Sequence, residues 1–241
     1  MKINLIVKLS IIFCTSMLFG ADKEKIVKKV VSLTKDQKKP TTEYILKTFE
    51  DKRLKIDSSV LERFKNKPEK IKTYEQYKKI FFNDQRIGDG VRFYKKNKEL
   101  IAAVATEFEI DPIVLVAIVG VETNYGSKTS EFSVLNSLYT QAMKMPKRSS
   151  WATKEIAELL IFCSNNNIDP FSLEGSYAGA FGYGQFIPSS FNKLSIDYNG
   201  DGEKDPYSWE DVLGSIAFYL TENGYPKNDF NFTHKSKAWR G

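Results

Sequence analysis

The sequence has 241 residues, 41% hydrophobic and 13% aromatic, enough to bury roughly 70% of the surface of the unfolded chain without a disulfide or metal staple. That composition excludes a collagen, a coiled-coil rod and a mostly disordered chain. No apolar run of about 18 residues follows the first twenty, which excludes a polytopic membrane protein. Lys and Arg total 36 against 30 Asp and Glu, a net charge of +6 that favours an anionic partner. The excess sits in the first hundred residues with no Arg-rich stretch of interleaved aromatics, so nucleic acid is not favoured.

Residues 1–21 read as a secretory signal peptide. Lys2 precedes a largely apolar stretch from Ile3 to Phe19, and the small residues Gly20 and Ala21 meet the charged run Asp22-Lys23-Glu24-Lys25, the order of n-region, h-region and cleavage site. An uncleaved single-pass anchor is the alternative, near the short limit for a span. Phe13 stands where a small residue would precede a lipidated cysteine, so Cys14 is not read as a lipoprotein site. After cleavage Cys163 alone remains, which leaves no intrachain disulfide. It follows Leu159-Leu160-Ile161-Phe162 and is expected to be a buried thiol.

Amphipathic helices are predicted around Ile26, Val30 and Val31, around Tyr44, Ile45 and Phe49, and around Val60, Leu61 and Phe64, from their three- and four-residue spacing. Thr41 or Thr42 is the expected N-cap after Pro40, and Pro68 marks another break. A further helix is predicted from about Val91 to Phe108, and a short ribbon between residues 165 and 185. Asp111-Pro112 is an N-cap followed by proline at the first helical position. The run from Ile113 to Val121 is apolar on every face, so the spacing predicts the central, buried helix of the core.

Glu122 ends that helix, before Thr123-Asn124-Tyr125-Gly126 with Gly126 as the expected stop. A carboxylate there meets the negative end of the helix dipole and apolar surroundings, and both raise its pKa. A raised pKa suits a general acid near neutral pH; the structural alternative is that Glu122 marks where the helix reaches solvent. The stretch Gly175 to Phe186 is rich in glycine and aromatics and lacks the Gly-Lys-Ser/Thr of a phosphate loop. It suits either a sugar-binding loop or a tight structural turn. Asp197, Asn199 and Asp201, Gly202 and the Glu203 carbonyl stand at positions 1, 3, 5, 6 and 7 of an EF-hand loop. Ser208 replaces the glutamate of position 12, with Asp211 and Glu210 as candidates to complete a longer loop; an acidic Asx-Gly turn is the alternative. His234 is the single histidine, so neither a histidine triad nor a multi-histidine zinc site has residues to use.

Together, these motifs resemble the membrane-bound lytic murein transglycosylase B family. The similarity runs from about residue 40 to 225 and includes Tyr77, Arg86, Gly90-Val91-Arg92-Phe93-Tyr94 and Gly214-Ser215-Ile216-Ala217-Phe218-Tyr219. The resemblance implies a mainly α, lysozyme-like catalytic core over 98–241, with an EF-hand-like loop at 197–211 and an N-terminal helical region over 22–97. It implies cleavage of peptidoglycan between MurNAc and GlcNAc to give 1,6-anhydroMurNAc ends, with Glu122 as the one acid and then base. Ser176, Gln185, Phe186, Tyr77 and Tyr219 match positions lining the sugar groove. Asp197, Asn199, Asp201, Glu203 and Asp211 match a structural Ca2+ site. The expected setting is periplasmic, with membrane association open, acting as a monomer on glycan strands, with other cell-wall enzymes as further candidate partners. The family pattern continues to a helix carrying a Tyr-Asn pair, and none follows before Ala238-Trp239-Arg240-Gly241. That departure keeps a non-catalytic peptidoglycan-binding protein as the alternative, with a calcium-dependent interaction module as a third reading.

Overall fold

In the computed structural model the described residues are 21–66, 73–127 and 131–225. Residues 1–20 of the expected signal peptide, Pro68 and His234 lie outside them. Among the described residues no helix is long and apolar enough to cross a membrane. The described residues group into two compact units that do not follow the linear order of the chain: 21–64, 132–173 and 177–179 form one, and 65–66, 73–127, 131, 174–176 and 180–225 the other.

In the first unit, α1 (Ala21–Thr34), α2 (Thr42–Glu50) and α3 (Ser58–Lys65) precede α8 (Val134–Lys144) and the long α9 (Pro146–Asn165). Thr41 is the cap of α2, accepting from the Tyr44 amide at 3.2 Å. α1 turns Ile26, Val27 and Val30 inward; Val27 takes the place on the core face that spacing assigned to Val31, because the buried stripe runs i, i+1, i+4. Cys163 is wholly buried, and burial pushes its thiol up to about 12, so it is the inert core thiol expected of it. A row of polar side chains on α8 holds the neighbouring loops. Asn136 Oδ1 accepts from the Lys55 amide at 3.0 Å and Thr140 Oγ1 from the Asp57 amide at 2.9 Å. Gln141 Nε2 donates to the Tyr177 carbonyl at 3.1 Å. Buried polar groups are stable only when so paired.

The second unit holds α4 (Tyr74–Phe81), α5 (Asp84–Lys96), α6 (Lys98–Phe108), α7 (Pro112–Thr123), α10 (Pro188–Leu194) and α11 (Trp209–Glu222). The single helix expected from Val91 to Phe108 is two. They meet at Asn97, whose φ of −111° and ψ of 22° leave the helical region and whose Nδ2 donates to the Phe93 carbonyl at 3.0 Å. The Asn97 amide donates to that same carbonyl at 3.0 Å, so Asn97 closes α5, and its own carbonyl accepts from the Ile101 amide at 2.9 Å to open α6. The core of the unit packs Ile101, Val104, Leu115, Val119, Leu213 and Ala217 from α6, α7 and α11, each with no measurable exposure. Where the ribbon is expected, near 165–185, the short strand Glu174–Gly175 is followed by two antiparallel bridges, Gly175 with Phe181 and Phe181 with Phe186.

Candidate active site

The chemistry of the second unit is set by how α7 begins and ends. Asp111 caps it, accepting from the Ile113 amide at 2.8 Å. Leu115, Val116, Val119 and Gly120 are buried, whereas Ile113 and Val121 are exposed, so the all-apolar run fills the core on one side and presents hydrocarbon to solvent on the other. Helical geometry stops at Asn124, earlier than the expected Gly126, and three successive residues are left-handed: Asn124 at φ 49°, Tyr125 at 60° and Gly126 at 78°. Two non-glycine residues in this region carry strain that the surroundings must hold.

Those surroundings are visible. Arg86 Nε of α5 donates to Asn124 Oδ1 at 3.0 Å, and Asn124 Nδ2 donates to Ser127 Oγ at 2.7 Å. Thr123 Oγ1 accepts from the Gly126 amide at 3.0 Å and donates to the Tyr183 carbonyl at 3.3 Å. The residue after Glu122 is thereby bonded to the glycine-rich loop. Thr123, Arg86 and Tyr183 escaped assignment from sequence as positioning residues, because their partners lie 38 to 60 positions away.

Glu122 is open to solvent, yet protein crowds the carboxyl enough for desolvation alone to raise its pKa. No charged neighbour among the described residues contributes to that shift. A carboxyl both reachable and poorly solvated keeps its proton to higher pH and can deliver it.

The loop beside it is aromatic. Tyr183 stacks on Trp209, with centroids 4.5 Å apart and planes at 20°; Trp209 meets Phe93 edge-on at 4.6 Å. Phe186 and Tyr219 are edge-on at 5.9 Å. Both are half-buried, so their faces are in part free for a ligand. Gln185 is left-handed at φ 49°, and its Nε2 donates to the Gly182 carbonyl at 2.9 Å, which leaves Oε1 as its remaining acceptor. Ser176 Oγ accepts from the Ala180 amide at 3.1 Å and retains its own proton to donate. Tyr77 lies on α4, its side chain outside the described part of the structure.

The acidic loop from Asp197 to Asp211 is wound around its first carboxylate. Asp197 Oδ1 accepts from the Gly200 amide and Oδ2 from the Gly202 amide, both at 2.7 Å. Asn199 Nδ2 donates to Asp201 Oδ2 at 2.9 Å, and Asp201 Oδ1 accepts from the Glu203 amide at 2.8 Å. Asp211 is only 2% exposed and accepts from the amides of Tyr198 at 2.9 Å and Asp205 at 2.8 Å. Ser208 is the N-cap of α11. The donors are all oxygen, as a hard divalent cation requires. Among the described residues no group of three or more His, Cys, Asp or Glu side chains converges as a metal shell.

A mainly helical, lysozyme-like architecture with one poorly solvated acid at the end of its core helix is the class that this fold and site define. The family model described as the transglycosylase SLT domain matches residues 23–235, and the chain belongs to that family. Membrane-bound lytic murein transglycosylase B of Escherichia coli K12 is 32% identical over 154 residues, 64% of this chain and 43% of that protein. The chain thus spans less than half the length of this curated relative. Soluble lytic transglycosylase SltB1 from Pseudomonas aeruginosa matches with a TM-score of 0.77 and 33% identity over 84% of this chain and 68% of that one. The E. coli lytic transglycosylase Slt35, solved in complex with calcium, matches at TM-score 0.75 and 28% identity over 87% and 65%. P. aeruginosa SltB3, solved with NAG-anhNAM-pentapeptide, matches at 0.77 and 26% over 87% and 55%.

Proposed function

We propose that this protein is a lytic transglycosylase, cleaving the MurNAc–GlcNAc bond of peptidoglycan without water and leaving 1,6-anhydroMurNAc ends. The observation that carries this reading is Glu122, open to solvent yet with its pKa raised by desolvation, and with no charged partner among the described residues. Most hydrolytic glycosidases use two carboxyl groups. One suffices if the substrate supplies its own nucleophile. Glu122 gives its proton to the glycosidic oxygen as the C1–O4 bond breaks, and the N-acetyl oxygen of the muramyl residue stabilises the cation forming at C1. The Glu122 carboxylate then takes the proton of the C6 hydroxyl while O6 bonds to C1. The acid is regenerated, and neither water nor an oxidant is consumed.

In this reading Ser176, Gln185, Phe186, Tyr77 and Tyr219 bind the sugars. Ring faces stack on the aromatics, and hydroxyl or acetamido groups pair with Ser176 Oγ and Gln185 Oε1. Excluding water from the groove favours ring closure over hydrolysis, a role that falls to these aromatic residues. Asp197, Asn199, Asp201, the Glu203 carbonyl and Asp211 would hold Ca2+, whose contribution is to fix the loop that leads into Trp209. SltB3 with its anhydro-sugar peptide and Slt35 with calcium support both assignments by kinship. The expected setting is the periplasm after removal of residues 1–21, with membrane association open and glycan strands as the partner.

The test is mass spectrometry of purified peptidoglycan incubated with the protein and with Glu122→Gln. Muropeptides with 1,6-anhydro ends from the parent alone are expected. Reducing ends would make it a hydrolase, and glycan binding without products would make it a binding protein.

A further inference from the structure

The second unit contains a cavity of about 420 Å3 that does not count Glu122 among its lining residues. Its walls come from α5, from Asn124, Tyr125 and Ser127 in the turn after α7, and from Trp209 at the start of α11. The volume falls in the range of small-ligand pockets. Half-buried Trp209 and Tyr125 border it, and the buried ring of Phe93 backs both, 4.6 Å from Trp209 and 5.4 Å from Tyr125. Gln85 and Asn97 add carboxamides, and Arg92 and Lys96 add positive charge. Arg92 is already paired with Asp89. Lys96 is exposed and enters none of the ion pairs found among the described residues.

Each part of this lining narrows the ligand. Aromatic faces take the C–H face of a sugar ring, carboxamides pair with hydroxyl and acetamido groups, and a cation without a partner favours a carboxylate. Resting on the function proposed above, we propose that this cavity is a secondary site for a muramyl peptide, an N-acetylated sugar bearing a carboxylate, away from the bond being cut. A strand held there is tethered beside the end of α7, which raises its effective concentration at Glu122. Trp209 lines the cavity and stacks on Tyr183 of the glycine-rich loop, so occupancy bears on both.

Muramyl dipeptide tests this, because it has no bond between sugars to cleave and can be titrated into the active protein. With 15N-labelled protein, the Trp209 indole N–H and the Gln85 carboxamide signals are expected to shift together along one binding curve. Lys96→Gln should weaken that curve about tenfold, the scale of one charged hydrogen bond, and the uncharged disaccharide of GlcNAc should bind more weakly than muramyl dipeptide. Shifts confined to Ser176 and Gln185, an unmoved Trp209 signal, or equal affinity in Lys96→Gln would each overturn the site. Anhydro-muropeptide release, measured on the same parent protein, separates the two ideas. Release without Trp209 shifts sinks the cavity alone, and Trp209 shifts without release sink the enzyme and keep the cavity.

Discussion

Gly120 leaves the space that the phenol of Tyr125 fills: a methyl group on Gly120 would lie 2.5 Å from Tyr125 Oη and 2.7 Å from its ring carbon. A methyl group on Gly90, on α5, would likewise lie 2.5 Å from the same oxygen. A left-handed residue five positions on thus explains glycine in the middle of a core helix, where it costs about 1 kcal/mol relative to alanine. Gly120→Ala should therefore lower Tm, since overpacking costs about 1–3 kcal/mol and outweighs the gain in helix propensity. Thermal unfolding followed by circular dichroism checks it; an unchanged or higher Tm would show that Tyr125 can move aside freely.

Removing the charge of Glu122 should separate activity from stability. Glu122→Gln is expected to lose cleavage with the fold intact. The folded-state pKa is raised, so the folded protein holds this proton more tightly than the unfolded chain does. The stability this gives is full below the unfolded pKa and is lost as pH rises through the folded value. Gln carries no such loss. The Tm advantage of Glu122→Gln should therefore grow from mildly acid to neutral pH, and a pH-independent difference would argue against burial of the carboxyl.

Thr123 is the link between α7 and the glycine-rich loop. Thr123→Val keeps the shape and strands the Gly126 amide and the Tyr183 carbonyl, a loss of about 1–3 kcal/mol. We expect reduced kcat in the muropeptide assay, because Glu122 and the aromatic loop lose their shared anchor. Parent-like stability and turnover would show the two bonds to be dispensable.

Calcium and the acidic loop give two distinguishable effects. Calcium should raise the Tm of the parent by mass action on the folded state and leave Asp197→Ala/Asp201→Ala unmoved. Asp211→Ala should be destabilised even in chelator, on the order of 2–4 kcal/mol, because buried amides lose their acceptor. Equal parent melting with and without calcium would remove the metal site, and a stable Asp211→Ala in chelator would remove its structural role.

What sequence alone determined was local. The Asp111-Pro112 start, the apolar run behind it, the buried thiol of Cys163 and the helical class are legible because capping chemistry and hydrophobic spacing act within a few residues. The family pattern around Glu122, the glycine-rich stretch and the Asp197 loop was equally visible as a run of residue types. Tertiary structure decided the rest. The break at Asn97 is a departure of one residue's backbone from helical dihedrals, which the hydrophobic spacing on either side does not report. The stop at Asn124 and Tyr125, ahead of Gly126, is held by Arg86 from another helix and by a notch made of two glycines 30 positions apart in sequence. The aromatic line through Tyr183, Trp209 and Phe93 joins three distant segments, as does the cavity that Trp209 helps line. Spacing within a strand of sequence cannot report these relationships, because their energies arise from contacts that exist only once the chain has closed on itself.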